Sequence, residues 1–178
     1  MAASSFCTLE RRESLGLGSP DPGNEFLVRS CGILVHGSSV LAEEAVAEQG
    51  LKSYALPGGH LEFGESLAEC LSREFYEETG LNVEAEKLVY VHENFYLLKG
   101  VTTHEIGFYF LVDLASEFPS PDSSGYIANR EMHTRMRLLP LDQLKSFPLQ
   151  PAFLRDQLPA DTAARFASPP RHVLTREI

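Results

Sequence analysis

Residues 59–81 constrain the fold of this chain most, because they specify one helix together with both of its ends. Ser66 is a favourable N-cap residue, and Glu69 follows three residues later, as in a capping box. Apolar residues recur every four positions and form a stripe of Leu67, Leu71 and Phe75. Gly80 is suited to end the helix in the left-handed conformation. The pattern therefore predicts a helix over residues 66–79.

The same stretch is strongly acidic, since it holds six glutamates against one arginine, Arg73. Glu74, Glu77 and Glu78 stand at positions i, i+3 and i+4, so they share one helix face. This face adjoins the apolar stripe, and we expect it to be partly buried, which increases the repulsion between the carboxylates. Protonation of a carboxylate would relieve that repulsion, and so would the binding of a divalent cation.

A hard cation such as Mg²⁺ suits these residue types, because it binds carboxylate and carbonyl oxygens and keeps positions for water and phosphate. Arg73 can hold a carboxylate through two hydrogen bonds and fix its orientation. The backbone can turn sharply at Gly58 and Gly59, so that a carbonyl there could complete the coordination. The alternative is a solvated acidic helix that follows an ordinary glycine turn.

The spacing of the whole stretch resembles the Nudix box, GX5EX7REUXEEXGU, at every fixed position. The matching residues are Gly59, Glu65, Arg73, Glu74, Phe75, Glu77, Glu78, Gly80 and Leu81. Residues 56–59 and 138–144 also look like the corresponding parts of Nudix proteins. The resemblance implies a mixed β-sheet sandwiched between α-helices, and it leaves the subfamily open.

The resemblance also implies an activity: hydrolysis of a nucleoside diphosphate linked to another moiety, with Mg²⁺ or Mn²⁺ as the cofactor. ADP-ribose-like compounds, dinucleoside polyphosphates, nucleotide sugars and nucleoside triphosphates all remain open as substrates. The alternative is a Nudix module that binds a nucleotide or metabolite without turnover. Such modules usually lose residues of the box, and this chain keeps them all, so we expect an enzyme.

Carried over position by position, the resemblance assigns a role to each residue of the box. The implied metal ligands are Glu74, Glu77, Glu78 and the carbonyl of Gly58. Arg73 would orient a glutamate, and Glu65 would support the site through a salt bridge. The general base of Nudix enzymes is either a box glutamate or a glutamate in a later loop. Glu131 is the best later candidate here, and Glu105 is the second.

Substrate recognition is less specified by the sequence. Arg29 and Arg130 could meet phosphate or ribose, and the polar pair His104 and Glu105 interrupts an apolar strand and could face the cleft. Aromatic residues that could stack on a base or pack in the core are Phe95, Tyr96, Phe108, Tyr109 and Phe110. Of these aromatic residues we select Tyr96 as a candidate for substrate binding.

The order of predicted elements is strands, one strong helix, further strands and then helices, which indicates an α+β or mixed α/β fold. Strands are predicted over residues 26–36, 40–47, 87–98, 104–114 and 134–139, and short helices over 141–147 and 152–158. We expect a poorly ordered lead-in over residues 1–24 and one domain over 25–158. Residues 159–178 have little periodicity and are expected to form a tail along the surface.

Composition excludes several classes of protein. The chain has 15 basic and 25 acidic side chains and a net charge of −10, so we expect no nucleic-acid polymer as a partner. No apolar run approaches the roughly 20 residues that span a bilayer, and no secretory signal is expected. Three widely spaced cysteines favour reduced thiols and a cytoplasmic location. We expect a small-molecule nucleotide as the substrate and leave a homodimer open.

Overall fold

The structure is a computed structural model, and it describes residues 23–46, 50–98, 100–128, 130 and 134–178. Within these residues there are two α-helices, α1 (Leu67–Thr79) and α2 (Phe153–Ala163), and a 3₁₀ helix at Leu141–Ser146. The strands are β1 (Asn24–Ile33), β2 (Val35–His36), β3 (Ser39–Val46), β4 (Lys52–Ala55), β5 (Gly58–His60), β6 (Val83–Leu98), β7 (Val101–Leu114), β8 (Tyr126–Ile127), β9 (Thr134–Pro140), β10 (Leu149–Gln150) and β11 (Arg171–Arg176). The predicted α+β fold is confirmed.

The strands form two mixed sheets. The first has the order β11-β6-β7-β1-β5, with β1 parallel to β7 and antiparallel to β5. The second has the order β10-β4-β3-β9-β8, and β2 pairs with β3. The register between β1 and β5 brings Gly58 opposite Cys31 and His60 opposite Arg29. This pairing places Gly58 and Gly59 on β5, an edge strand of the first sheet, directly beside β1.

Helix α1 forms as the sequence predicts. The Ser66 hydroxyl accepts a hydrogen bond from the Glu69 backbone N–H, and the Glu69 carboxylate accepts one from the Ser66 backbone N–H. Gly80 ends the helix in the left-handed conformation, with φ of 78°. Leu71 and Phe75 are fully buried in a core beneath α1. These contacts fix the rotation of the helix, and with it the direction in which its acidic face points.

A second core lies around α2 and contains the buried aromatic residues Tyr90 and Tyr109. The sequence placed the end of this helix at residue 158, but α2 continues through Pro159 to Ala163. Leu154 and Leu158 are completely buried, so tertiary packing stabilises the helix despite the proline. The prediction failed because proline is usually a signal for the end of a helix.

The chain after Pro159 was expected to lie along the surface as a tail, and the structure corrects this expectation. Strand β11 pairs in parallel with β6 and forms an edge of the first sheet. Buried Asp161 accepts hydrogen bonds from the Tyr90 hydroxyl and from the Arg171 guanidinium, which connects α2 with β6 and β11. The segment is therefore part of the folded body. The predicted lead-in, except for Gly23 and Asn24, lies outside the described residues, as do residues 47–49 and 131–133.

Within the described residues, no helix is long and apolar enough to cross a membrane. The described cysteines, Cys31 and Cys70, are buried and unpaired.

Candidate active site

The guanidinium of Arg73 is the centre of the acidic face of α1. Its Nη2 and Nε atoms donate to the two oxygens of Glu65 at 2.7 and 3.1 Å. Its Nη1 atom donates to Glu74 Oε1 at 2.7 Å and to Glu77 Oε2 at 3.4 Å. One arginine thus joins three of the carboxylates that the box pattern selects. The bidentate contact with Glu65 has the fork geometry that fixes a guanidinium most firmly.

Glu65 belongs to the loop before α1, and its contacts hold it in the ionised form. The hydrogen bonds from Arg73 lower the pKa of Glu65 to about 2. Its Oε1 atom also accepts the backbone N–H of Glu62 at 2.7 Å. Glu65 is therefore a fixed anion at neutral pH, and it anchors Arg73 against the loop.

Glu74 lies directly against the backbone of Gly59. A Cβ atom at position 59 would lie 2.1 Å from the carboxyl carbon of Glu74, which is far inside van der Waals contact. A side chain at position 59 would displace the Glu74 carboxylate, so glycine lets this carboxylate rest against the backbone. The sequence therefore couples Gly59 and Glu74 across 15 positions through a close approach in space.

Glu78 is the most deeply placed carboxylate of the helix face, with a relative exposure of 7%. Its Oε2 atom accepts the backbone N–H of Gly58 at 3.1 Å. Burial is the main cause that raises the pKa of Glu78, to about 8, and the negative charge of Glu43 adds to it. Glu78 is thus a buried carboxyl group whose ionised form lacks sufficient compensating charge, which is the situation that a bound cation would correct.

The carbonyl of Gly58, the fourth predicted metal ligand, accepts a hydrogen bond from the guanidinium of Arg29. Among the described residues, no three His, Cys, Asp or Glu side chains are gathered closely enough to hold a metal ion. Glu74 and Glu77 turn toward Arg73 instead, while Glu78 turns toward Gly58. The donor types fit a hard divalent cation, and the side chains would have to leave these partners to bind one ion.

Next to Gly58 lies a pocket of about 350 Å³. Arg29, Tyr96 and Glu105, three of the residues predicted to bind substrate, line it. Arg29 connects the pocket with the acidic face of α1, because the same guanidinium contacts the Gly58 carbonyl. A different cavity, of about 360 Å³ and lined by Ser38, Leu141, Asp142 and Pro159, contains no predicted site residue.

Glu105, which lines this pocket, has three polar neighbours: His60, Tyr96 and Arg29. His60 Nε2 lies 3.2 Å from Glu105 Oε2, and the Tyr96 hydroxyl donates to the same oxygen at 3.4 Å. Burial by itself would raise the pKa of Glu105, but the hydrogen bond with His60 and the charge of Arg29 outweigh burial, and the pKa is lowered. Glu105 is therefore ionised at neutral pH, which weakens it as a general base and suits it to bind hydrogen-bond donors.

His104 does not share this pocket. It hydrogen bonds to Glu93 at 2.9 Å and stacks on Phe95, with ring centroids 4.1 Å apart. Adjacent residues of a strand point to opposite faces, so the polar pair could not enter one cleft together. The expectation that both side chains face the cleft is wrong for His104, and we leave it out of the proposed substrate site.

The other candidates have different positions. Of the five aromatic residues, Tyr96 and Tyr109 line the pocket, while Phe110 packs against the core beneath α1. The guanidinium of Arg130 lies 4.7 Å from the ring centroid of Tyr76, outside the pocket. Glu131 lies outside the described residues. The backbone N–H of Arg130 donates to the Glu78 carbonyl at 3.0 Å, which places Arg130 against the last turn of α1.

Several pocket residues were not found from the sequence. His92 and Asn94 could have been predicted, since they alternate with Tyr96 along β6 and therefore share its face. His60 follows the two glycines, but only the register of β5 with β1 brings it to Glu105. Thr175 and Glu177 enter the pocket because β11 pairs with β6, and no local signal in the sequence indicates this pairing.

Comparison with known protein families shows a match to the NUDIX domain. The model of the NUDIX domain matches residues 27–160. Phosphatase NudJ of Escherichia coli K12 is 31% identical to this chain over 64 residues, which is 36% of the chain and 40% of NudJ. The match thus spans about two fifths of the length of these curated relatives.

Solved structures show the same fold at low sequence identity. The E. coli ORF135 protein has a TM-score of 0.58 and 19% identity, with 84% of this chain and 100% of that protein covered. A NUDIX hydrolase from Nitrosomonas europaea has a TM-score of 0.56 and 19% identity, with 85% and 79% covered.

Proposed function

The chain belongs to the Nudix family, and we propose that it is a metal-dependent pyrophosphohydrolase that cleaves a phosphoanhydride bond in a nucleoside diphosphate linked to another moiety. The observation that carries this proposal is the set of contacts around Arg73 and Glu78. A single arginine orients Glu65, Glu74 and Glu77, while buried Glu78 faces Gly58 beside a substrate-sized pocket. The names of its relatives, a phosphatase and a NUDIX hydrolase, support the same reaction class.

Glu74, Glu77 and Glu78 would hold the metal, and the Gly58 carbonyl would join them when Arg29 releases it. Mg²⁺ or Mn²⁺ supplies charge neutralisation of the diphosphate and acidifies a bound water. Arg73 orients Glu74 and Glu77 through its Nη1 atom, and both carboxylates would turn from it onto the metal. Glu65 in turn keeps Arg73 in place, which makes Glu65 a positioning residue.

We propose two roles for Arg29, which contacts the Gly58 carbonyl in the free protein and would bind phosphate in the complex. It lies at the junction between the acidic helix face and the pocket, where a diphosphate would pass from one to the other. A guanidinium can bind a phosphate oxygen pair through two hydrogen bonds. We therefore expect Arg29 to leave the Gly58 carbonyl and bind phosphate when substrate enters, which frees the carbonyl for the metal.

Glu131 is our proposal for the general base that takes a proton from the attacking water. Its neighbour Arg130 is attached to the Glu78 carbonyl, so the segment begins at the end of α1 that carries the metal ligands. Glu105 is the second candidate, but its lowered pKa makes it a weaker base at neutral pH.

The buried, unpaired Cys31 and Cys70 support our further proposal of a reducing, cytoplasmic location.

The test is release of inorganic phosphate from a nucleotide panel with Mg²⁺, after the products are treated with a phosphatase. The panel contains ADP-ribose, a dinucleoside polyphosphate, a nucleotide sugar and a nucleoside triphosphate. We expect turnover of at least one compound, its loss with EDTA and its recovery with added Mg²⁺. Binding of these compounds without any turnover would instead identify the chain as a silent binding module, and the enzymatic proposal would be wrong.

A further inference from the structure

The pocket beside Gly58 has the wrong charge for a phosphate tail. Three of its lining residues have side chains that carry a formal charge, namely Arg29, Glu105 and Glu177. Burial lowers the pKa of His92, so its imidazole adds no positive charge at neutral pH. Among the described residues that line the pocket, one cation thus faces two anions. Glu105 and Glu177 would repel a terminal di- or triphosphate, whereas they would attract a neutral group with hydrogen-bond donors.

An amide oxygen among the same lining residues has no hydrogen-bond partner within the described part of the chain. The Oδ1 atom of Asn94 is buried and accepts no hydrogen bond from any described residue. Asn94 lies opposite Glu105 in the register between β6 and β7, so its amide and the Glu105 carboxylate are adjacent acceptors on one face. A buried acceptor without a partner is costly, typically about 1–3 kcal/mol, and a ligand hydroxyl would remove that cost.

The C-terminal strand completes this wall. The Thr175 hydroxyl hydrogen bonds to His92 Nε2 at 2.9 Å, and the Glu177 backbone N–H donates to the Phe95 carbonyl at 2.8 Å. These contacts hold the end of the chain against β6, which brings Glu177 to the pocket from the side opposite Arg29's strand β1. The acceptors Asn94, Glu105 and Glu177 on this side of the pocket therefore come from β6, from β7 and from the residue that follows β11.

Two aromatic rings of the pocket, those of His92 and Tyr109, pack against Phe153, which lies behind them. The ring centroids of His92 and Phe153 lie 4.9 Å apart, with an angle of 52° between the ring planes. The ring centroids of Tyr109 and Phe153 lie 5.9 Å apart, and these two rings are nearly perpendicular. The Tyr96 hydroxyl is directed at Glu105. Among the described residues, the pocket therefore has no pair of parallel ring faces between which a nucleobase could stack.

We propose that this pocket binds a hydroxyl-rich sugar, and that the preferred substrates are sugars joined through a diphosphate to a nucleoside. Vicinal hydroxyls donate to the Asn94 amide oxygen and to the Glu105 carboxylate, and Glu177 contacts the outer part of the sugar. Arg29 remains at the mouth of the pocket, on the diphosphate. This inference rests on the proposed function, because it assigns the moiety that the same site would take.

The experiment compares ADP-ribose and UDP-glucose with ATP, using the full chain and Mg²⁺. We expect kcat/KM for both sugar compounds to exceed that for ATP by at least about 10-fold. Asn94→Leu removes the amide at nearly constant volume and should raise KM for the sugar compounds about 10-fold, with kcat and the activity on ATP little changed. Glu177→Gln, at an exposed position, should raise the same KM by about threefold.

Glu93→Gln is the matched control, because Glu93 precedes Asn94 but pairs with His104 and His172 on the opposite face. It should leave every constant unchanged. Equal or better turnover of ATP would overturn the sugar assignment while leaving the hydrolase proposal intact. If Asn94→Leu does not fold, an unchanged KM in Glu177→Gln would also overturn the assignment. Absence of turnover on all compounds would count against the proposed function itself.

Discussion

The acidic face of α1 and the pocket beside it are built in different ways. Glu65, Arg73, Glu74 and Glu77 lie within a short stretch of chain, and one arginine joins them. The pocket instead takes residues from β1, β6, β7, β10 and β11, which are far apart in the sequence. The first region is specified by local spacing and the second by strand register. The local region suits a reaction step that does not vary, and the assembled region suits selection of the substrate.

If this division is correct, substitutions on the helix face should act on turnover, and substitutions in the pocket should act on KM. The largest effect is expected for Glu78→Gln. The amide cannot supply a negative ligand oxygen, so kcat should fall by more than about 10²-fold. Circular dichroism should show an unchanged fold, because the side chain keeps its size and its contact with Gly58. Full turnover of this variant, or turnover that survives EDTA, would contradict the metal assignment.

The comparison is sharpened by two glutamates outside the box. Glu131→Gln should lower kcat by about 10²-fold, the contribution of a general base, with metal affinity little changed. Glu105→Gln should raise KM and leave kcat within about threefold, because this ionised carboxylate binds substrate rather than a proton. Steady-state kinetics at saturating Mg²⁺ separates the two. If neither substitution lowers kcat beyond threefold, the base is a glutamate of the box.

Arg73→Lys tests whether orientation matters in addition to charge. Lysine keeps the positive charge but cannot join Glu65, Glu74 and Glu77 at once, since it lacks the planar fork. We expect Mg²⁺ affinity or kcat to fall by about 10–100-fold, as for other groups that orient metal ligands. Titration of activity with Mg²⁺ measures both quantities. Wild-type behaviour would mean that the arginine contributes charge alone.

The smallest effect concerns pH. The pKa of Glu78 in the metal-free protein is raised to about 8, so a proton competes with the metal at neutral pH. Below that pH, the apparent Mg²⁺ affinity should fall by up to about 10-fold per unit, and the rate optimum should lie on the alkaline side of neutrality. Glu78→Gln should lose this dependence of metal affinity. An acidic optimum that does not move with Mg²⁺ concentration would contradict the prediction.

The stability of the metal-free protein gives the complementary measurement. The pKa of Glu78 is higher in the folded state than its ordinary value near 4.5, so the folded state binds more protons between these two values. Stability should therefore fall as the pH rises through this window, by roughly 2–4 kcal/mol. Glu65, whose pKa is about 2, acts in the opposite direction and loses its contribution only as the pH falls from about 4.5. Urea unfolding at several pH values, with Glu78→Gln as the control, checks the sign.

The sequence by itself determined helix α1, its two caps and the family of the chain. Ser66, Glu69 and Gly80 act through contacts with their own neighbours, so their effect can be deduced from spacing alone. The same is true of Arg73 and its three glutamates, which one turn or one short loop brings together. Alternation along β6 would also have placed His92 and Asn94 beside Tyr96.

Only the tertiary structure decided which candidates meet at the pocket. His104 and Glu105 are adjacent in the sequence, yet strand geometry separates them onto opposite faces. Strand β11 and the continuation of α2 through Pro159 depend on packing against β6 and the core, and short-range preferences do not contain these contacts. Pairing between segments about 80 residues apart, such as that of Thr175 with His92, is set by the free energy of the whole fold rather than by local sequence.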